Sequence, residues 1–228
     1  MKGEKTSSET LNKTVEFAKS IGMDYIVVEK DVPGFVANRI NARVYTVAIG
    51  LLQHYRAEEL DAVLRYRVGM PMGIFEVADF SGVDVLYNAT NELIRRGMDL
   101  ETPDLLKRMV EEKRLGMKTG RGFYEYEGTY SRAKILPKPN YNFNPLRLIA
   151  PGVNEGAWLL RNGVATRESI DKAMVVGMSY PKGLLELADD YGLDNVVNAL
   201  DDGKVDPLLS QMVSEGKLGK KSGEGFYK

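Results

Sequence analysis

The residues best suited to chemistry stand in the run Pro33-Gly34-Phe35-Val36-Ala37-Asn38-Arg39. Pro and Gly make a turn, and the apolar spacing after them starts a helix. Asn38 then falls in the first helical turn, beside N–H groups that have no partner within the helix. An amide that both donates and accepts, set next to exposed amides, suits an oxygen-rich ligand. Capping and plain solvation would use an Asn at this position equally well.

Two acidic pairs come next. Glu76 with Asp79, and Glu186 with Asp189, stand three apart on one helical face. Such pairs can do acid–base work or hold a metal. Both recur in repeated sequence, including the copy without an Asn-Arg signature, and this favours a structural role such as capping or pairing with an Arg. His54 is the only histidine, which excludes a multi-histidine metal centre. It falls near the end of the long helix, about five turns or some 24 Å along the axis from Asn38, and reads as structural or solvated. There is no Cys, so thiolate chemistry and disulfides are excluded and a cytoplasmic setting is the default. Gly120-Arg121-Gly122 supplies a Gly-x-Gly, but no strand precedes it and Phe-Tyr follows. Its recurrence as Gly223-Glu224-Gly225 argues for a turn that belongs to each repeat.

The elements that must position these residues are helical and duplicated. Leu105 to Tyr124 and Leu208 to Tyr227 match at about a dozen of twenty positions. A second pair of blocks matches too: Pro71-Met72-Gly73 through Asp79 and Gly82-Val83-Asp84, against Pro181-Lys182-Gly183 through Asp189 and Gly192-Leu193-Asp194. The 228 residues can hold one large domain or two small ones, and 43% hydrophobic content is enough for a core. A net charge of -1, with the signs mixed, offers no field for nucleic acid or an anionic membrane. No apolar run approaches a membrane span, and the N-terminus is not a signal peptide.

Thr6-Ser7-Ser8-Glu9 reads as a capping box with Thr6 as the cap, followed by a helix to Gly22. Tyr25 to Glu29 reads as a buried strand, the last of a sheet whose other strands are elsewhere. Phe35 to Tyr55 is predicted as one long helix, with Val36, Ile40, Val44, Val47, Leu51 and Tyr55 on its apolar stripe. Helices are predicted over Glu58 to Arg65, Ile74 to Asp79, Val83 to Arg96 and Pro103 to Lys113. Glu127 to Phe143 lacks helical period and reads as the connection between repeats. Repeat two runs from Asn144, with a long helix through Trp158, itself read as core, and a short helix at Glu168 to Val175.

Several of these motifs together resemble the 3-hydroxyacyl-CoA dehydrogenase family. They are Asp31-Val32-Pro33-Gly34-Phe35-Val36-Ala37-Asn38-Arg39-Ile40, then Glu58-Glu59-Leu60-Asp61, then Gly69-Met70-Pro71-Met72-Gly73-Ile74-Phe75-Glu76 with Asp79, then Lys118-Thr119-Gly120-Arg121-Gly122-Phe123-Tyr124. The resemblance covers essentially the whole chain, and the motifs fall in the right order. The tandem copy is similar to the long, multifunctional-type members, where Pro151-Gly152-Val153-Asn154-Glu155 opens a degenerate second repeat.

The resemblance implies a mainly α fold of two tandem helical repeats of the 6-phosphogluconate-dehydrogenase C-terminal type, packed as a pseudo-dimer, with a short residual helix and strand in front. It implies residues 1–31 as the tail of a Rossmann domain, 32–127 as repeat one on the substrate side, 128–143 as a linker and 144–228 as a degenerate, structural repeat two. The implied reaction is NAD-dependent oxidation of a 3-hydroxyacyl-CoA to the 3-ketoacyl-CoA in fatty acid β-oxidation. Asn38 would be the catalytic and substrate-binding residue beside the reacting oxygen. Arg39 would brace the long helix, and Met72 and Phe75 would line the acyl side or simply pack. The family's catalytic His, the Glu that orients it and the dinucleotide fingerprint match nothing here. NAD is therefore expected in the complete enzyme and not on this chain alone, which is expected to be inactive without a Rossmann domain in cis or trans. The expected partners are an acyl-CoA and possibly a fused enoyl-CoA hydratase. The other reading is a non-catalytic helical module for interaction or acyl-CoA binding.

Overall fold

The computed structural model describes residues 1–128, 131, 133–200 and 203–227. Among them it holds eleven α-helices and no strand. In chain order these are α1 (Ser8–Ser20), α2 (Ala37–Leu51), α3 (Ala57–Val63), α4 (Ile74–Ser81), α5 (Val83–Arg95) and α6 (Asp104–Glu111). There follow α7 (Leu146–Arg161), α8 (Arg167–Lys172), α9 (Leu184–Tyr191), α10 (Leu193–Asn198) and α11 (Pro207–Ser214). No helix is long and apolar enough to cross a membrane among the described residues.

The predicted helices are realised to within about three residues at each end, except that the one predicted over Phe35 to Tyr55 is the shorter Ala37–Leu51, and three further corrections follow. The cap of α1 is Ser7, whose hydroxyl accepts the Thr10 N–H at 3.1 Å. Thr6 sits one residue too early and takes the Gly3 N–H instead. Tyr25 to Glu29 is not a strand: its backbone makes single hydrogen bonds, Lys2 N–H to the Val28 carbonyl and Glu29 N–H to the Val164 carbonyl, both at 2.8 Å. A strand needs a ladder on a neighbour, and no element described here supplies one. Pro151 does not open a repeat but lies inside α7, which has already begun at Leu146. The predicted connection at 128–143 includes residues 129, 130 and 132, which are outside the described set.

Compactness divides the chain into one unit of Met1–Ile40 with Ile149–Lys228, and another of Asn41–Leu148. The chain passes from one unit to the other within α2 and within α7. The core of the second unit gathers Leu60, Val63, Phe75, Val83, Leu106, Met109 and Tyr124 from α3 to α6 and the turn beyond. These are the apolar positions at helical spacing, turned inward because burial of each large side chain is worth about 2 kcal/mol.

Each repeat carries a π-helical turn after its short helix, Leu64–Val68 after α3 and Ala173–Gly177 after α8. Both close alike: the Met70 N–H reaches the Leu64 carbonyl at 3.0 Å, and the Tyr180 N–H reaches Met174 at 3.1 Å. The residue before each donor has left-handed backbone, Gly69 at φ 90° in the first copy and Ser179 at φ 56° in the second.

Candidate functional site

The turn that precedes α2 is strained and open. Gly34 and Phe35 both have positive φ, 76° and 52°. Gly34 is required twice over, since a Cβ there would lie 2.7 Å from the Arg39 nitrogen. Phe35 is an aromatic residue in a region that bulky side chains rarely adopt, and it remains 37% exposed. Strain of this kind collects where a geometry is used. Asn38 is exposed on the first turn of α2, and its amide makes no hydrogen bond among the described residues. It is thus free to meet a ligand.

Arg39 holds this turn in place. Its Nε donates to Glu155 Oε2 at 2.8 Å, and its guanidinium lies 3.8 Å from the centre of the Trp158 ring. Both partners are on α7, in the same unit. Arg39 and Glu155 are 6% and 5% exposed, so their opposite charges satisfy each other where water cannot. Trp158 is the platform for this arginine.

Met72 and Phe75 lie in the other unit. Met72 is half-buried in the loop before α4. Phe75 is fully enclosed, with its ring 4.8 Å from that of Phe123, so packing accounts for its surroundings. His54 is exposed in the turn after α2.

The acidic residues form a different kind of site. Asp61 Oδ1 accepts the Phe75 N–H at 3.0 Å, and its Oδ2 accepts the Glu76 N–H at 3.0 Å and the Tyr124 hydroxyl at 2.7 Å. Asp79 accepts the Phe123 and Tyr124 N–H groups, both at 2.9 Å, and the Tyr126 hydroxyl at 3.0 Å. Glu76 takes the Gly73 N–H at 2.8 Å and pairs with Arg65 at 3.1 Å. So Glu76 and Asp79 cap and pair, and do not stand together as an acid and a base. Burial pushes Asp61 up to about 7, against the three hydrogen bonds that favour its charged form. Asp79 is raised for the same reason.

The second copy repeats this hub. Asp171 accepts the Leu185 and Glu186 N–H groups and the Tyr227 hydroxyl. Asp189 accepts the N–H groups of Phe226 and Tyr227. Burial raises both carboxyls. Lys118 pairs with Asp84 in one copy and Lys221 with Asp194 in the other. These contacts account for most of the residues the two blocks share. Asp61 and Asp171 have no role in a reading of the sequence alone. Their recurrence together with the Phe-Tyr turn was the signal available.

The Gly-x-Gly turns do not fit a dinucleotide. A Cβ on Gly122 would stand 2.0 Å from Asp79 Oδ1, and one on Gly225 would stand 2.1 Å from Asp189 Oδ1. Each cradle is already filled by a carboxylate of the chain, which would repel a phosphate. Among the described residues, no group of His, Cys, Asp and Glu is placed to hold a metal.

Comparison with known proteins fits this geometry. The C-terminal domain of 3-hydroxyacyl-CoA dehydrogenases matches residues 34–126 and again residues 143–228. A fatty acid oxidation complex subunit alpha from Vibrio parahaemolyticus is 31% identical over 216 residues, covering 87% of this chain. The chain spans 30% of the length of that relative. The crystal structure of 3-hydroxybutyryl-CoA dehydrogenase from Escherichia coli K12 shares the fold, with a TM-score of 0.79 at 19% identity over 94% of this chain and 67% of the other. An (S)-3-hydroxybutyryl-CoA dehydrogenase from Ralstonia eutropha is 31% identical over 55% of this chain and 45% of its own, with a TM-score of 0.52. The chain belongs to the 3-hydroxyacyl-CoA dehydrogenase family, of whose C-terminal domain it holds two tandem copies.

Proposed function

We propose that this chain supplies the substrate-facing helical part of an NAD-dependent 3-hydroxyacyl-CoA dehydrogenase. In this reading it oxidises 3-hydroxyacyl-CoA to 3-ketoacyl-CoA only together with a Rossmann domain, joined in cis or bound in trans. The observation that carries the proposal is Asn38, exposed and without a partner on the first turn of α2. There its amide donates to the substrate oxygen at the carbon being oxidised, and the strained Gly34-Phe35 turn fixes its direction. Met72 and Phe75 belong to the other unit and have no part in this reading. The base that takes the hydroxyl proton comes from the partner domain, since His54 follows Asn38 by about five helical turns, some 24 Å along the axis.

The first helix supports a partner domain. No residue of α1 is buried, and Phe17, Ile21 and Met23 on and just after it are 64%, 51% and 61% exposed. A face this apolar is an expected contact surface. The relative's name supports a setting in fatty acid oxidation, in which a fused enoyl-CoA hydratase would be a natural neighbour.

The test is NADH formation from a 3-hydroxyacyl-CoA by the chain alone and after addition of a relative's Rossmann domain. Turnover is expected only in the mixture. Asn38→Ala is expected to lower kcat by about 100- to 1000-fold, the scale of one hydrogen-bond donor lost at the reacting oxygen, with the melting temperature unchanged. Robust turnover by the chain alone, or full activity of the Asn38 variant, would overturn the proposal. No rescue by any added domain, with acyl-CoA still bound, would favour a non-catalytic acyl-CoA-binding module.

A further inference from the structure

Asn38 is followed directly by the residue that ties its turn down. The Arg39 N–H donates to the Gly34 carbonyl at 3.1 Å, so the backbone of Arg39 closes the turn. Its side chain runs the other way, to the second copy. There Nε meets Glu155 Oε2 at 2.8 Å, and the guanidinium lies 3.8 Å from the centre of the Trp158 ring. Both partners stand on α7, which gives them a firm base. Val153, Ala157 and Leu159 are fully buried, and a Cβ on Gly156 would stand 3.0 Å from Leu185 Cδ2. A helix packed this closely has little room to shift.

This cluster stands outside the duplicated pattern. In the register that aligns Asp61 with Asp171 and Asp79 with Asp189, the counterparts of Arg39, Glu155 and Trp158 are Ile149, Tyr45 and Ala48. The counterpart of Asn38 is Leu148. So neither copy needs an ion pair here to build its helix, and the pair occurs beside the asparagine. Nor is stability a sufficient reason for it. Two buried charges lose their water, and apolar residues of similar volume often serve as well or better. What the cluster adds is direction. A charge-assisted hydrogen bond on one side and a ring face on another hold a guanidinium in one orientation.

We propose that Glu155 and Trp158 are positioning residues for the reaction, acting through Arg39 to aim the Asn38 amide at the substrate oxygen. This rests on the reading of Asn38 given above. The second copy then does more than brace the first, because it sets the direction of a side chain that meets the substrate. A displacement of about 1 Å at the reacting groups can cost about 100-fold in rate. Loosening the turn would therefore slow the reaction while the helices stay folded.

The test uses two variants of the full chain. Arg39→Met with Glu155→Met replaces both charges by apolar groups, and Trp158→Leu removes the ring face. Backbone order parameters from 15N relaxation are expected to fall at Phe35 to Arg39 from about 0.85 to below about 0.6, with those of α9 unchanged. With the Rossmann domain added, kcat is expected to fall about 100-fold with KM unchanged, the mark of an interaction made only in the transition state. Trp158→Phe, which keeps a ring under the guanidinium, should restore most of both. In an Asn38→Ala background the same changes should lower kcat no further, because the amide they aim is gone. A turn that stays ordered, full kcat in both variants, or losses that multiply with that of Asn38→Ala would overturn the proposal. Full activity of Asn38→Ala would instead overturn the reading beneath it. The order parameters are read on the chain alone, so they decide even where no mixture turns over.

Discussion

Asp61→Ala is expected to cost about 4 kcal/mol at pH 5 and less at pH 8. The substitution strands the Phe75 and Glu76 N–H groups and the Tyr124 hydroxyl, and each buried donor left unpaired costs about 1–3 kcal/mol. At high pH part of that loss is returned, because the ionised carboxyl is itself unwelcome where it sits. Its folded value of about 7 lies above the ordinary 3.8, so the folded chain holds the proton more tightly than the unfolded chain. The stability gained is fully present below 3.8 and is lost as pH rises through about 7. The whole difference corresponds to about 4 kcal/mol. Asp79, Asp171 and Asp189 are raised and act in the same direction. Asp84, Asp190 and Asp194 are lowered beside lysines, and their effect falls below the ordinary carboxylate range. The native chain should therefore gain stability from pH 8 to pH 5 in denaturant titrations. Asp61→Asn should flatten that slope, and an unchanged slope would show that Asp61 is not its source.

Gly122→Ala is the second large effect, expected at about 3 kcal/mol or more. The new Cβ would lie 2.0 Å from Asp79 Oδ1 and 2.7 Å from the Gly116 Cα. The carboxylate must move, and it then loses the Phe123 and Tyr124 N–H groups, so overpacking and unpaired donors add. Gly50→Ala is the control. Gly50 lies inside α2 with nothing within 4 Å of an added Cβ, and a helical Gly costs about 0.5–1 kcal/mol relative to Ala. Thermal melts should place the two variants on opposite sides of the native chain. If Gly122→Ala melted with the native protein, the cradle would not be the reason for a glycine there.

The helices were legible because their signals are local. Val36, Ile40 and Val44 repeat at the spacing of a helical face, and Gly and Pro mark the stops. Tyr25 to Glu29 misled because a β-branched run states a preference, while a strand is a relation to a neighbour. The π-helical turns left no trace in the spacing, since each is only five residues long and too short to show a period of its own. The candidate site was legible at Asn38, where a motif and a helix start coincide. Phe75 was less so, because a helical stripe cannot distinguish a pocket wall from a core. The hub was half legible: the repetition flagged Glu76, Asp79 and the glycines as structural. Asp61 escaped because its partner, Tyr124, is 63 residues away, and only the fold brings the two together.

Gly69 and Ser179 make one bend with two different residues. The first copy meets the left-handed bend after its π-helical turn with the residue that adopts it freely. The second meets the same bend with a serine, at a conformational cost of about 1–2 kcal/mol. A bend made alike by two different residues is set by its surroundings, the π-helical turn before it and the Pro-x-Gly loop after it, more than by the residue that makes it.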